Sequence, residues 1–318
     1  MEPNKNDVQS GLDDTKTMDK DKKEEVDLMK IGLSTYSLLT AIRAGEMDVL
    51  DVVQWIADNG GEHMEIVPYG FTLVDNYELA DAVRDKAKAV GIELSNYSMP
   101  TNFIQETEEA FEAEVARVKT HVDLLNRMGI KHMRHDVSAF TVPVEQTTIE
   151  YFENNLEIMV EGSRQIADYA AQFGITTTIE NHGWLVQASD RVQRVLQAVN
   201  RPNFKTTLDI GNFMCVDEHS LVGVKKNLPY ASLVHFKDFY FRPYDQEPGD
   251  GKWFKTVHGN FLRGAIVGQG DIPIREVVKL VKESGYDGYI TVEFEGMEDC
   301  REGSKIGMDN LRRFWEEA

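Results

Sequence analysis

Short apolar or β-branched runs alternate along this chain with longer stretches whose apolar positions recur every three or four residues. The short runs predict strands over Ile31–Tyr36, His63–Val67, Ile92–Tyr97, His132–His135, Thr176–Glu180, Lys205–Asp209, Ser232–His235 and Tyr289–Glu293. The longer stretches predict helices over Met47–Asn59, Glu78–Val90, Glu108–Met128, Ile149–Phe173, Gln187–Val199, Glu218–Lys226, Ile274–Glu283 and Ser304–Glu316. Gly91, Gly129, Gly174 and Gly285 stand where four of these helices give way to the next strand. A residue that tolerates left-handed backbone lets the chain turn at such a point without strain. Eight strand–helix units in succession predict an all-parallel sheet covered by helices. The roughly 290 residues involved suit an eight-stranded parallel (β/α)8 TIM barrel, which needs about 250 plus insertions. A doubly wound open sheet would announce itself by a glycine fingerprint after the first strand, and Ser34–Ser37 has none.

Two segments depart from the pattern. Residues 1–29 carry charges of both signs and almost no large apolar groups, so they predict a flexible charged N-terminal tail ahead of a barrel domain over residues 30–318. The interval from His235 to Glu293 is 58 residues, twice the 29 between Glu180 and Asp209. It therefore holds a long insertion, residues 239–271, rich in Phe, Tyr and Trp. Such a segment at a barrel mouth is expected to be a lid or a homodimer contact, or else to pack its own aromatics.

Net charge of −20 repels phosphate backbones and excludes a nucleic-acid role, since no basic stripe offsets it. No apolar run is long enough to span a bilayer, and the N-terminus lacks the apolar core of a signal peptide. Cys215 and Cys300 are too few for a disulfide framework and read as reduced thiols in a cytoplasmic protein.

Function in a barrel lies where strands run into their following loops. In the second half Glu180 ends TTTIE, Asp209 ends KTTLD, His235 ends SLVH and Glu293 ends YITVE. Charged groups at the ends of apolar strands cost several kcal/mol each unless paired or metal-bound. Three carboxylates and one imidazole on strands five to eight would converge and repel without a cation, so together they predict one divalent-metal site. Oxygen-rich ligation with a single nitrogen favours Mn²⁺, Mg²⁺ or Co²⁺ over structural zinc. The same rim offers His182, Asn212, Lys237, Arg242 and His135 as groups that could bind substrate, while Glu65 inside strand two could support the ligands.

The strings IENHG, LDIGN, VHFKD, GQGDIP and YDGYITVEFEG resemble those of the xylose-isomerase-like barrels, the sugar phosphate isomerase and epimerase family, over roughly residues 30–316. The resemblance implies that Glu180, Asp209, His235 and Glu293 hold one divalent ion, commonly Mn²⁺, with Mg²⁺, Co²⁺ or Zn²⁺ as alternatives. It also implies that Glu180 and Glu293 are the catalytic acid/base pair. Glu295 is the fallback for the last ligand, since alternation along a strand gives it the same facing as Glu293. Gly268-Gln269-Gly270 resembles the family's glycine turn and is also, weakly, a phosphate cradle.

The expected activity is that of a metal-dependent isomerase or epimerase of a sugar or sugar phosphate. Such an enzyme removes a proton next to a carbonyl and stabilises the enediolate. The runner-up is a dehydratase of the inosose or dehydroshikimate type, which shares the proton abstraction and differs only in the fate of the β-hydroxyl. Apurinic endonucleases resemble the chain distantly but need a multi-metal cluster with extra histidines. Here Asn212 follows Asp209, and strand three ends in Asn96-Tyr97-Ser98. The expected partner is a small sugar or polyol.

Overall fold

The computed structural model describes residues 29–318, so all but Met29 of the expected tail lies outside the described residues. Eight parallel strands close into a barrel: β1 (Ile31–Ser34), β2 (His63–Ile66), β3 (Glu93–Met99), β4 (His132–His135), β5 (Thr176–Glu180), β6 (Phe204–Asp209), β7 (Ala231–Phe236) and, after an interruption, β11 (Tyr289–Val292). Neighbours in sequence are neighbours in the sheet, and β11 closes the ring by pairing with both β7 and β1. The chain is thus an α/β (β/α)8 TIM barrel, as its alternating pattern predicts.

Helices cover the outside for readable reasons. The helix Val49–Asp58 opens on a capping box in which Asp48 accepts from the Leu50 and Asp51 amides while Asp51 accepts from the Asp48 amide. The helices Tyr77–Val90 and Glu108–Met128 stop at Gly91 and Gly129, whose φ of 81° and 77° a side chain would resist. Their apolar stripes bury residues such as Val83, Val115, Val118 and Val122 against the outward face of the strands.

That outward face is Leu33, Met64, Ile66, Tyr97, Met133, Ile179, Leu208, Val234 and Ile290, all buried in the common core. The alternate residues point into the barrel, and there the lining is polar. The Thr178 and Thr207 hydroxyls bond at 2.7 Å, and His63 Nδ1 meets Ser95 Oγ at 2.9 Å. Barrel interiors are usually filled by branched apolar side chains. This one carries hydrogen-bonded polar layers up to the mouth.

The insertion is a small antiparallel sheet of β8 (Asp238–Arg242), β9 (Phe254–Lys255) and β10 (Phe261–Ala265). Phe239 is buried and meets Phe254 edge-to-face at 5.8 Å, while the Arg263 guanidinium lies over the rings of Tyr240 and Trp253. Its base is latched by Asp238, whose carboxylate accepts from the amides of Phe239, Gly268, Gly270 and Ile272. A Cβ on Gly270 would overlap that carboxylate, so glycine is required there. The two glycine amides of the Gly268-Gln269-Gly270 turn are therefore spent on Asp238, and the phosphate-cradle reading of this turn is corrected. Among the described residues no helix is long and apolar enough to cross a membrane.

Candidate metal centre

Strand register brings the predicted ligands to one level. Asp209 is the last residue of β6 and stands opposite His235 of β7; Glu180 ends β5. Glu293 follows β11, and its backbone N–H donates a hydrogen bond to the Phe236 carbonyl. One ligand atom from each of Glu180, Asp209, His235 and Glu293 lies within 4.8 Å of the other three, and all four residues are buried.

The donor atoms are prepared for an ion. Asp209 Oδ1 accepts from the amides of Gly211 and Asn212 at 2.7 and 2.8 Å, while Oδ2 is buried without a hydrogen-bond partner. His235 Nε2 meets Glu65 Oε2 at 2.8 Å, and Nδ1 is buried without a partner. Buried polar atoms without a hydrogen-bond partner are costly, and a cation between them, displacing any proton on the ring nitrogen, removes the cost. The arrangement can hold one metal ion, with mixed carboxylate and imidazole donors that suit Mg²⁺ or Mn²⁺ alike.

Two cationic side chains, Lys237 and Arg134, lie against the cluster. Lys237 is only 4% exposed; its ammonium lies 2.6 Å from Glu293, 3.5 Å from Asp209 and 3.3 Å from Glu295. Arg134 Nε lies 3.0 Å from Glu180 Oε2, and its Nη2 reaches Asp136 at 2.8 Å and His182 Nδ1 at 2.7 Å. Asn212 donates to Glu180 Oε1 at 2.8 Å and lies 3.3 Å from the Lys237 ammonium.

These neighbours set the protonation. Burial raises the Asp209 carboxyl to about 6 even though Lys237 pulls the other way. Burial opposes charge on His235, but Glu65 and the ligand glutamates overcome it and raise the ring to about 10 before any ion competes. Glu65 moves in the opposite sense: burial works to raise it, and the facing ring brings it down to about 2. Lys237 is raised well above its ordinary value against the pull of burial, by Asp209 and Glu293.

The cluster opens into a cavity of about 130 Å³ lined by Tyr36, Tyr69, Ser98, Arg134, Asp136, Phe140, His182, Lys237 and Glu295 as well as three of the ligands. Phe140 stacks on His182 with ring centres 4.6 Å apart. A larger cavity, about 1010 Å³, opens at the opposite end of the barrel around His132 and Tyr289, away from all four ligands. The carboxylate and histidine cluster opens into the smaller one.

Sequence-predicted rim residues divide. His182, Asn212 and Lys237 join the ligands, and Glu295 stands further out beside Lys237. Arg242 does not join them: it ends β8, is exposed, and pairs with Asp271 at 3.7 Å over the Trp253 ring. His135 does not either. Alternation places Arg134 inside the barrel and therefore His135 outside, against the rings of Phe103 and Phe204. Arg134, Asp136, Tyr36 and Tyr69 are the site residues that the sequence reading passed over. A charged residue at an inward position of strand four was the available signal for Arg134.

Burial lowers the His135 ring from 6.5 to about 4. The unfolded chain takes up a proton near 6.5 that the folded chain refuses until about 4, so stability from this site is lost as pH falls through that window. In urea unfolding, the stability advantage of wild type over His135→Gln is expected to shrink by about 2 kcal/mol between pH 7 and pH 5. An unchanged difference would mean that the ring is solvated.

Comparison with known proteins identifies the scaffold. A family model described as xylose isomerase-like TIM barrel matches residues 53–314. An inosose dehydratase of Bacillus velezensis is 22% identical over 196 residues, 59% of this chain and 65% of that protein, so the match spans slightly less than two thirds of the relative. The structure of a probable 3-DHS dehydratase from Bacillus anthracis superposes with a TM-score of 0.70 at 18% identity, covering 89% of this chain and 99% of that one. A xylose isomerase-like barrel protein from Mycobacterium smegmatis, solved with magnesium, gives 0.63 at 17% identity, covering 91% and 98%. The named activities of the first two are dehydrations. They overturn the isomerase or epimerase expectation in favour of the lyase alternative. The physical reason for the error is plain: the quoted motifs encode the ion cluster, which both reactions need, and nothing in their spacing registers what becomes of the β-hydroxyl.

Proposed function

The chain belongs to the xylose isomerase-like TIM barrel family, and from that premise we propose that it is a metal-dependent dehydratase of a neutral cyclic polyhydroxy ketone of the inosose type. The observation that carries the reading is the buried ligand set whose Asp209 Oδ2 and His235 Nδ1 are left open beside a cavity rich in donors. A divalent ion held there would act as a Lewis acid on the substrate carbonyl and acidify the adjacent C–H.

The rest is work for side chains. Glu180 and Glu293 form the acid/base pair on two sides of the bound ring. Glu180 accepts from Asn212, is ion-paired with Arg134, and is oriented as the base that takes the proton next to the carbonyl. Glu293, held ionised by the Lys237 ammonium at 2.6 Å, stands on the side of the departing hydroxyl, which would leave as water with the proton taken from the carbon. His182, half-buried under Phe140, and Asn212 offer hydrogen bonds to the remaining hydroxyls. Tyr36, Tyr69 and Phe140 line the cavity, Tyr69 and Phe140 at its exposed edge.

Charge favours a neutral substrate over a carboxylated or phosphorylated one. In and just beneath the cavity stand Glu65, Asp136, Glu180, Asp209, Glu293 and Glu295, against Arg134, Lys237 and His235, and all three of those cations are already engaged by carboxylates. Among the described residues lining the cavity, an anionic substrate would meet no cationic side chain free of a carboxylate. Incubation with a divalent ion and either an inosose or dehydroshikimate, followed by the ultraviolet absorbance of the conjugated product, tests the reading. Water loss is expected from the inosose alone, abolished by a chelator and restored by Mn²⁺ or Mg²⁺. Reaction of the acid instead, or no chelator effect, would refute it.

A further inference from the structure

Glu65 lies inside the barrel on β2, fully buried, and reaches the far side of the ring of strands to meet His235 on β7. Its Oε2 is 2.8 Å from His235 Nε2 and accepts from Asn96 Nδ2 at 2.7 Å. No lysine or arginine pairs with it among the described residues, and its Oε1 is buried without a partner. A stability role is a poor account of this group. A buried carboxylate and imidazole seldom outweigh their desolvation, and apolar residues of the same shape would serve packing as well.

We propose that Glu65 is a positioning residue for the metal ion, fixing His235 in the one tautomer that can ligate. A neutral imidazole carries a single N–H. The carboxylate can only accept, so the hydrogen sits on Nε2 and the lone pair on Nδ1, the atom left open. The same contact fixes the ring's rotation and makes Nδ1 a better donor to the ion. Without Glu65 the ring would be free to place its hydrogen on Nδ1 and present an N–H to Asp209, Glu180 and Glu293. This inference rests on the metal site of the proposed function but not on dehydration.

The test is titration of metal-free full-length protein with Mn²⁺ alone by calorimetry, paired with thermal unfolding in the absence and presence of the ion. Glu65→Gln keeps an oxygen that can accept from Nε2 but removes the charge, and it is expected to weaken Mn²⁺ binding about 10-fold. Glu65→Leu removes the acceptor and is expected to weaken it about 100-fold, the upper end for such partners. Metal-free Glu65→Leu is expected to be less stable than wild type, because His235 Nε2 and Asn96 Nδ2 lose their buried acceptor. The decisive readout is the further stabilisation conferred by Mn²⁺, which is expected to be lost. Should the Glu65 variants fail to fold, Asn96→Ala loosens the carboxylate without removing it, and a several-fold loss of affinity is expected. Wild-type affinity in folded Glu65→Leu, or in Asn96→Ala where the Glu65 variants do not fold, would overturn the proposal, as would wild-type protein that binds no Mn²⁺. The readout is binding, so a negative dehydration assay with intact Mn²⁺ titration would count against the proposed function and leave this inference standing.

Discussion

Replacing Glu180 by Gln is expected to lower turnover by on the order of 10³-fold or more while leaving the barrel folded. Both Glu180 oxygens face donors: Arg134 Nε lies 3.0 Å from Oε2, and Asn212 donates to Oε1 at 2.8 Å. An amide can satisfy only one of them, and its NH₂ must confront the other donor. The variant loses a base, a ligand and a hydrogen bond together. Glu293→Gln is expected to lose a similar factor for a different reason. The Lys237 ammonium that now sits 2.6 Å away would keep Asp209 and Glu295 but lose its closest anion. Single-turnover rates at saturating divalent ion, alongside thermal unfolding, separate chemistry from folding. Near wild-type turnover in either variant would remove that residue from the acid/base pair.

The architecture was legible because periodicity is a local property. The predicted strand Thr176–Glu180 and the predicted helices Glu108–Met128 and Ile274–Glu283 coincide with the observed elements to the residue. Each is bounded by a cap, a glycine turn or a charged strand end that can be read without knowing what packs against it. The convergence of these side chains was legible for a related reason: a lone charged side chain ending an apolar strand is anomalous, and four of them on consecutive barrel strands meet at one rim.

What stayed hidden depends on facing and on the third dimension. His135 and Arg134 are adjacent in HMRH, and only counting back from the inward-facing positions of β4 shows which enters the barrel. Arg242 follows the histidine ligand by seven residues, yet the hairpin of β8 and β10 carries it outward to Asp271. Nor does the Gly-Gln-Gly turn announce that its amides serve Asp238, thirty residues earlier in the chain. The choice between isomerisation and dehydration was hidden for a deeper reason. It turns on which substrate oxygen finds a proton, and the donors involved belong to loops whose sequences carry no periodic constraint.

Asp209→Asn is expected to abolish metal binding at concentrations where wild-type protein is saturated, a loss on the order of 10³-fold or more in affinity. The substitution changes one atom, and geometry makes that atom decisive. The Gly211 and Asn212 amides both donate to Oδ1, at 2.7 and 2.8 Å, so the asparagine carbonyl oxygen must take that place. The NH₂ group is then forced onto the position of Oδ2, the buried atom with no hydrogen-bond partner, and aims two hydrogens at the centre of the cluster. Turning the amide over would relieve the cluster only by setting NH₂ against two backbone N–H groups, which is worse. The outer side of the residue is unaffected: Asn181 still pairs with the Asp209 backbone through its N–H and carbonyl. The fold should therefore survive, and the metal-free variant should unfold close to wild type. Calorimetric titration with Mn²⁺ and with Mg²⁺ is the measurement. Wild-type affinity in this variant would mean that the ion is held elsewhere, and the open pair of Asp209 Oδ2 and His235 Nδ1 would no longer mark its place.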